Sequence, residues 1–232
     1  MLLRSEPPMI QSAIEPSVSR PTVRHLIVCA NPSTASFDHS IVKAYAATAR
    51  SNGQEVVVRD LYAMGFDPVL KLGERPGHDE RTLSSDVAAE LEFVRNAAIL
   101  VLVYPIWYGL PPAILKGYVD RVLGAGFSFQ DLHDGKVQPP LAQKPLLSFS
   151  TSGLPLEWLH EQNQVLALRE IFDVYLWRGF GMKQSEHLMI DSVVPNMSVV
   201  YAAEQLERVR QTADRTCKSL AGALPAHVNY EA

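Results

Sequence analysis

The chain is poor in the residues that build disulfide or metal centres. Only two of its 232 residues are cysteine, and nothing in the sequence pairs Cys29 with Cys217 or gives either a metal-ligand spacing, so a disulfide framework is excluded. Cys29 lies inside an apolar strand and reads as a small core residue. The seven histidines are scattered, without HExxH or a cluster, which argues against a metal. Neither GxGxxG nor GxxxxGK[ST] occurs, so the glycine signatures of dinucleotide and nucleotide loops are missing. Lys and Arg number 21 against 25 Asp and Glu, giving a net charge of −4 and no polybasic run. Such a chain has no field to gather nucleic acid. No segment approaches the roughly 20 apolar residues that span a bilayer, and the first stretch lacks the apolar core of a secretory signal. These readings give the expectation of a cytoplasmic protein.

An apolar share of 47% fits one ordinary globular domain. Residues 1–22 hold four of the sixteen prolines and no sustained apolar period, so an extended or disordered arm is expected before a single domain over 23–232. Strand and helix signals then alternate, the pattern of a parallel sheet with helices on both faces. Strands are expected at His25 to Ala30, Gln54 to Arg59, Ile99 to Tyr104, Lys144 to Thr151 and Gln184 to Ile190. Helices are expected at Asp38 to Ser51, from Ser84 or Ser85 to Arg95, at Ala113 to Leu123, over Leu156 to Trp177 and at Val199 to Leu220. Asp60 to Leu83 reads as a long ordered excursion, and residues 124–140 as a glycine-rich hairpin or lid.

The most informative run is VLVYPIWYGLPPAILKGYVDRV, Val101 to Val122. Ile99 to Tyr104 is apolar without alternation, as a central parallel strand covered on both faces should be. Its carboxyl end carries the loop Pro105 to Pro111. Prolines 105, 111 and 112 remove three donors and fix φ, Trp107 and Tyr108 offer flat surfaces, and Gly109 permits close backbone approach. That wall suits a flat aromatic ligand, or else caps the sheet or fills a subunit contact.

Two further loops are expected at the same edge. NPSTASFDHS follows strand one and presents Ser33, Thr34 and Ser36 where a helix begins, a position that favours a phosphate. The alternative is a plain cap by Ser36 or Asp38. SFSTSGLP follows strand four and offers Thr151, Ser152 and Gly153. In strand order 2-1-3-4-5 the three loops meet in one crevice. One is suited to phosphate, one to a ring face and one to polar ring edges, and a flavin meets all three.

The segments SFDHSIVKAY, EVVVRDLYAMGFDPVL, YPIWYGLPPAILKGYVDRVLGAGFSF and LLSFSTSG together resemble the flavodoxin-like NAD(P)H:quinone oxidoreductases, of the DT-diaphorase and potassium-efflux ancillary reductase type. The resemblance covers Arg24 to Gly153. It implies an α/β three-layer sandwich with a five-stranded parallel sheet of order 2-1-3-4-5. It also implies bound FMN or FAD, NAD(P)H as substrate, a quinone or similar small-molecule acceptor, and a homodimer. Asn31, Ser36, Phe37 and Asp38 would then lie at the flavin phosphates, Pro105, Ile106, Trp107, Tyr108 and Gly109 along the ring, and Thr151, Ser152 and Gly153 at its polar edge. Lys116, Gly117, Asp120 and Arg121 match the family pattern and read as helix packing and charge pairs.

The pattern is broken at several positions. Asn31 stands where the family commonly has His, Asp38 where it often has Asn, and TSGL replaces TTGG. Trp158 and His160 fall near the family's Tyr and His, in a different spacing, which makes His160 the candidate catalytic proton donor. The other readings are an enzyme acting on an azo, nitro or chromate-like oxidant, a flavin- or nucleotide-binding regulatory subunit with little turnover, and a flavodoxin-type carrier, for which −4 is weakly acidic. Leu166, Ile171, Val174, Tyr175 and Trp177 form an apolar helical stripe that would cover a partner subunit or pack in the core.

Overall fold

A computed structural model describes residues 22–75, 83–125, 130, 134 and 138–223. The proposed arm and most of the expected hairpin or lid lie outside the described residues. Five strands form one sheet: β1 (Arg24–Cys29), β2 (Glu55–Asp60), β3 (Ile99–Pro105), β4 (Pro145–Thr151) and β5 (Gln184–Ile190). All pair in parallel, in the order β2-β1-β3-β4-β5. The expected strands are all present, with ends moved by a residue, within the ordinary uncertainty of element boundaries.

Two layers of helix bury the sheet. α1 (Phe37–Ser51) and α7 (Val199–Gly222) cover one face, where Ile41, Tyr45, Val209 and Ala213 meet Ile27, Val101 and Phe149. α2 (Ser85–Asn96), α3 (Ala113–Tyr118) and the helical residues 156–179 cover the other, where Leu91, Leu115 and Phe172 meet Val28, Leu102 and Tyr104. Every residue of β3 is buried, because both of its faces are roofed.

Two long helices of the sequence reading are interrupted. The run after β3 passes from α3 into a π-helical turn at Val119–Leu123. Residues 156–179 divide into α4 (Leu156–Glu161), α5 (Gln164–Leu168), a π-helical turn at Arg169–Val174 and α6 (Tyr175–Gly179). The break between α4 and α5 falls at Asn163, whose φ of 57° is left-handed, a conformation Asn tolerates better than most residues.

The π turn after α3 is locked by Arg121, which is fully buried. Its guanidinium grips both oxygens of Glu74 at 2.8 Å, donates to Asp86 at 2.8 Å and reaches the Asp67 carbonyl at 2.6 Å. Ser84, expected to cap α2, instead turns its hydroxyl to Glu74 and Arg121. Beside it, Gly117 packs on Pro68, and a Cβ there would fall 2.4 Å from Pro68 atoms. Lys116 pairs with Asp120 at 2.5 Å. The described parts of the excursion after β2 are thereby fastened to the helix after β3.

The Arg121 guanidinium holds Glu74 well below the usual carboxylate range, at about 2 instead of 4.5. A depressed acid contributes stability above its unfolded value and loses it as pH falls toward the folded one. Acid unfolding should therefore show a contribution from Glu74 that fades between pH 4.5 and about 2 and is missing in Glu74→Gln. Arg121→Ala leaves Glu74 buried and unpaired, and should cost about 3–5 kcal/mol in chemical denaturation; a loss under 1 kcal/mol would contradict this reading.

Candidate functional site

The strand register leaves a step at the carboxyl edge of the sheet. Cys29 at the end of β1 is level with Val103, while Pro105, Thr151 and Ile190 are level with one another two residues further on. At about 3.3 Å per residue, β3 and β4 overhang β1 by roughly 7 Å. β1 and β3 are also the neighbours where strand order reverses, so a crevice opens there.

The β1 loop enters the step. Ser33, Thr34 and Ala35 are exposed on it, and Ser36 caps α1, its hydroxyl accepting from the His39 amide at 3.3 Å. Phe37 is half-buried at the first helical position. Asn31 bends the loop by accepting from the Ser33 amide at 2.9 Å. His39 ties the cap to β2: Nδ1 lies 2.9 Å from the Ser36 hydroxyl and Nε2 2.9 Å from the Asp60 carboxylate. Asp60 also accepts from the amides of Tyr62 and Ala63.

Asp38 does not cap the helix. It turns inward and is buried, accepting from Asn31 Nδ2 at 2.6 Å and from the Thr151 hydroxyl at 3.1 and 3.2 Å. One carboxylate thus joins the loops after β1 and β4, residues 113 positions apart. Burial pushes its acid strength down, raising the pKa above 3.8, and the hydrogen bonds from Asn31 and Thr151 oppose the shift. Cys29, beneath, is pushed up to about 12 by burial and by the charges of Asp38 and Asp60, which makes it an inert thiol.

The β3 loop forms a two-residue hairpin turn. Trp107 and Leu110 exchange backbone hydrogen bonds at 2.9 and 3.2 Å, and Tyr108 and Gly109 both have positive φ, 51° and 84°. Gly109 adopts that geometry freely, whereas a bulky residue at Tyr108's φ is strained. Tyr108 is fully exposed, and Trp107 and Leu110 are 41% and 46% exposed. Pro105 is buried, and the Ile106 amide donates to the Thr151 carbonyl at 2.7 Å, anchoring the base of the turn to β4.

In the β4 loop, Thr151 and Ser152 are buried and their hydroxyls are engaged, Thr151 with Asp38 and Ser152 with the Leu154 amide at 3.0 Å. Gly153 is exposed, and a Cβ there would meet only the Val193 carbonyl at 3.8 Å. Asp191 holds this loop from β5, accepting from the Leu156 amide and the Tyr201 hydroxyl. His160 sits exposed at the end of α4, its side chain without a hydrogen bond among the described residues. Trp158 is 41% exposed on the same helix. Sequence reasoning did not single out His39, Asp60, Asp191 or Tyr201. Their partners lie 21 and 10 residues away and are set by the fold alone.

The arrangement therefore presents an exposed loop, carrying Ser33 and Thr34, at the start of a 15-residue helix. It adds a strained aromatic turn and an open glycine. The exposed loop, the turn and the open glycine are groups that would hold a flavin's phosphate, ring face and ring edge. Among the described residues no group of three or more His, Cys, Asp or Glu could hold a metal ion, and no helix is long and apolar enough to cross a membrane.

Residues 23–215 match the model of the family described as flavodoxin-like fold, and the chain belongs to that family. Among curated relatives, an uncharacterized NAD(P)H oxidoreductase of Haemophilus influenzae is 37% identical over 132 residues, 56% of this chain and 65% of that protein. NAD(P)H dehydrogenase [quinone] 1 of Rattus norvegicus is 33% identical over 148 residues, 56% of this chain and 54% of that protein. The chain thus spans between half and two thirds of the length of these relatives. Among solved structures, an NAD(P)H:quinone oxidoreductase from Methanothermobacter marburgensis superposes with a TM-score of 0.72 at 23% identity, covering 84% of this chain and 96% of that one. An FMN-dependent NADH-azoreductase from Bacillus anthracis, in complex with FMN, gives 0.63 at 15% identity, covering 84% and 99%. The last two likenesses are of fold.

A buried acid whose pKa is raised loses stability as pH rises from its unfolded value to its folded one. Asp38→Asn removes the charge and keeps an oxygen for Thr151 and Asn31, so it should raise the melting temperature at pH 7, with the gain vanishing below the ordinary value of 3.8. Asp38→Ala leaves two donors unsatisfied and should cost about 1–3 kcal/mol. A destabilised Asn variant at pH 7 would contradict the assignment.

Proposed function

We propose that the protein is a flavin-dependent NAD(P)H oxidoreductase that passes two electrons from NAD(P)H through FMN or FAD to a quinone or similar acceptor. The observation that carries this reading is the exposed, strained Trp107–Leu110 turn set beside the open loop at the start of α1, two residues above the end of β1. The names of the curated relatives support it. So do two fold neighbours described in complex with FMN, the Bacillus anthracis azoreductase and a Treponema denticola general stress protein.

The flavin, when bound, supplies the hydride chemistry. Amides and hydroxyls of residues 33–37 would bind its phosphate, with Asn31 and Asp38 holding the loop from beneath. Pro105, Ile106 and the turn through Gly109 would carry the ring, and the β4 loop at Ser152 and Gly153 would face its polar edge. Trp107 and Tyr108 provide the apolar wall against which NAD(P)H and then the acceptor pack, excluding water from the exchange. His160 is the candidate proton donor to the reduced acceptor. The apolar side chains of Leu166, Ile171 and Tyr175, each at least half exposed, suit a homodimer.

Protein purified from cells and denatured should release FMN or FAD, identified by mass. Reconstituted protein should oxidise NADH or NADPH with a quinone. His160→Asn should slow turnover about tenfold with flavin content unchanged. Absence of flavin binding after incubation with both FMN and FAD would overturn the proposal. Flavin binding without oxidation of either nicotinamide would favour the regulatory-subunit reading.

A further inference from the structure

The roof over β5 is incomplete. A cavity of about 440 Å³ lies between this edge strand and the helical run through α5, the second π turn and α6, a size within the usual range for small-molecule sites. It shares no residue with the crevice at the carboxyl edge. Its walls include the apolar side chains of Val165, Val174, Trp177 and Met189. A π turn is wider than an α turn and recurs at functional sites. Here it places Arg169, Asp173 and Val174 on the cavity together.

The polar side of the cavity is a chain of four residues. His187 Nδ1 is 2.6 Å from Asp173 Oδ2, its Nε2 is 2.7 Å from the Ser150 hydroxyl, and Asp173 Oδ1 accepts from Ser148 at 3.2 Å. The residue types are those of a hydrolytic triad, but Ser150 is fully buried in β4 and cannot meet a carbonyl. Both imidazole nitrogens and both carboxylate oxygens are engaged within this chain, which closes the cavity's base.

The one charged side chain left free around the cavity, among the described residues, is a donor. Arg169 is exposed and has no ion pair or side-chain hydrogen bond among the described residues, and Ser185 and Gln184 likewise have side-chain groups unengaged. Among the described residues the one lining carboxylate, Asp173, is buried in its own contacts. An unpaired guanidinium beside an apolar cavity favours an anion with an apolar body, because its planar fork of N–H donors matches a carboxylate.

We propose that this cavity is a second small-molecule site that takes an organic acid with a flat apolar body, such as an aromatic carboxylate. The anion sits at Arg169 and the ring against Trp177 and Met189. The site is separate from the proposed flavin crevice, so its occupancy is independent of flavin.

The test is calorimetric titration of 2-naphthoate into the full chain with and without saturating FMN, alongside the neutral analogue 2-naphthylmethanol. One naphthoate per chain should bind in both states, at least tenfold more tightly than the alcohol. Arg169→Glu, at an exposed position that should tolerate it, should weaken naphthoate at least tenfold, and Val174→Trp, which fills the cavity, should abolish binding. Equal binding by Arg169→Glu, equal binding of the alcohol, or loss of naphthoate on adding FMN would overturn the proposal. So would light scattering in which Arg169→Glu splits a dimer and no naphthoate binds to either form, because the cavity would then be part of a subunit contact. Failure to bind flavin would leave the naphthoate result intact and would count against the crevice alone.

Discussion

The carboxylate of Asp38 is the point on which the candidate site depends. The loops after β1 and β4 leave the sheet independently, and no ladder hydrogen bond joins them. Asp38, one residue into α1, accepts from Asn31 on one side and from Thr151 on the other. The cost of burying the charge is visible in its raised pKa, and the two donors are what make that burial tolerable. Around this joint lie the exposed segments, residues 33–35 and a bare glycine at 153.

A second set of contacts gives the crevice its other wall. The turn from Trp107 to Leu110 holds a bulky residue at positive φ, a conformation that persists only when its surroundings fix it. The Ile106 bond to the Thr151 carbonyl and the paired bonds between Trp107 and Leu110 do so. Thr151 therefore serves both walls, its side chain facing Asp38 and its carbonyl facing Ile106. Behind the turn, Arg121 draws Glu74, Asp86 and the Asp67 carbonyl into one network, which anchors the π turn that follows α3.

Much of this could be read from the chain. The unbroken apolar run from Ile99 to Tyr104 announces a strand covered on both faces, and the alternation with helices leads to the observed sheet. The three loops were located because each follows such a run. What could not be read is what depends on distant partners. Asp38 looks like a capping residue because its neighbours are Ser36 and a helix, and only the fold brings Thr151 to it. His39 resembles a surface residue until Asp60 arrives from β2. The breaks in residues 156–179 are invisible to periodicity, since a π turn shifts the phase by packing, and only Asn163 hints at a stop. Thr151 and Ser152 are expected as ligand contacts; in the fold the Thr151 hydroxyl donates to Asp38 and the Ser152 hydroxyl accepts from the Leu154 amide, partners that the sequence does not announce.

The central claim is that one crevice, framed by the ends of β1, β3 and β4, receives a flavin. Amide NMR of the isotopically labelled protein during FMN titration tests it most directly. The account predicts that the large shifts concentrate at the amides of residues 33–37, 106–110 and 152–153, with β2 and the start of β5 unmoved. Shifts clustered elsewhere, or none at saturating FMN, would contradict it.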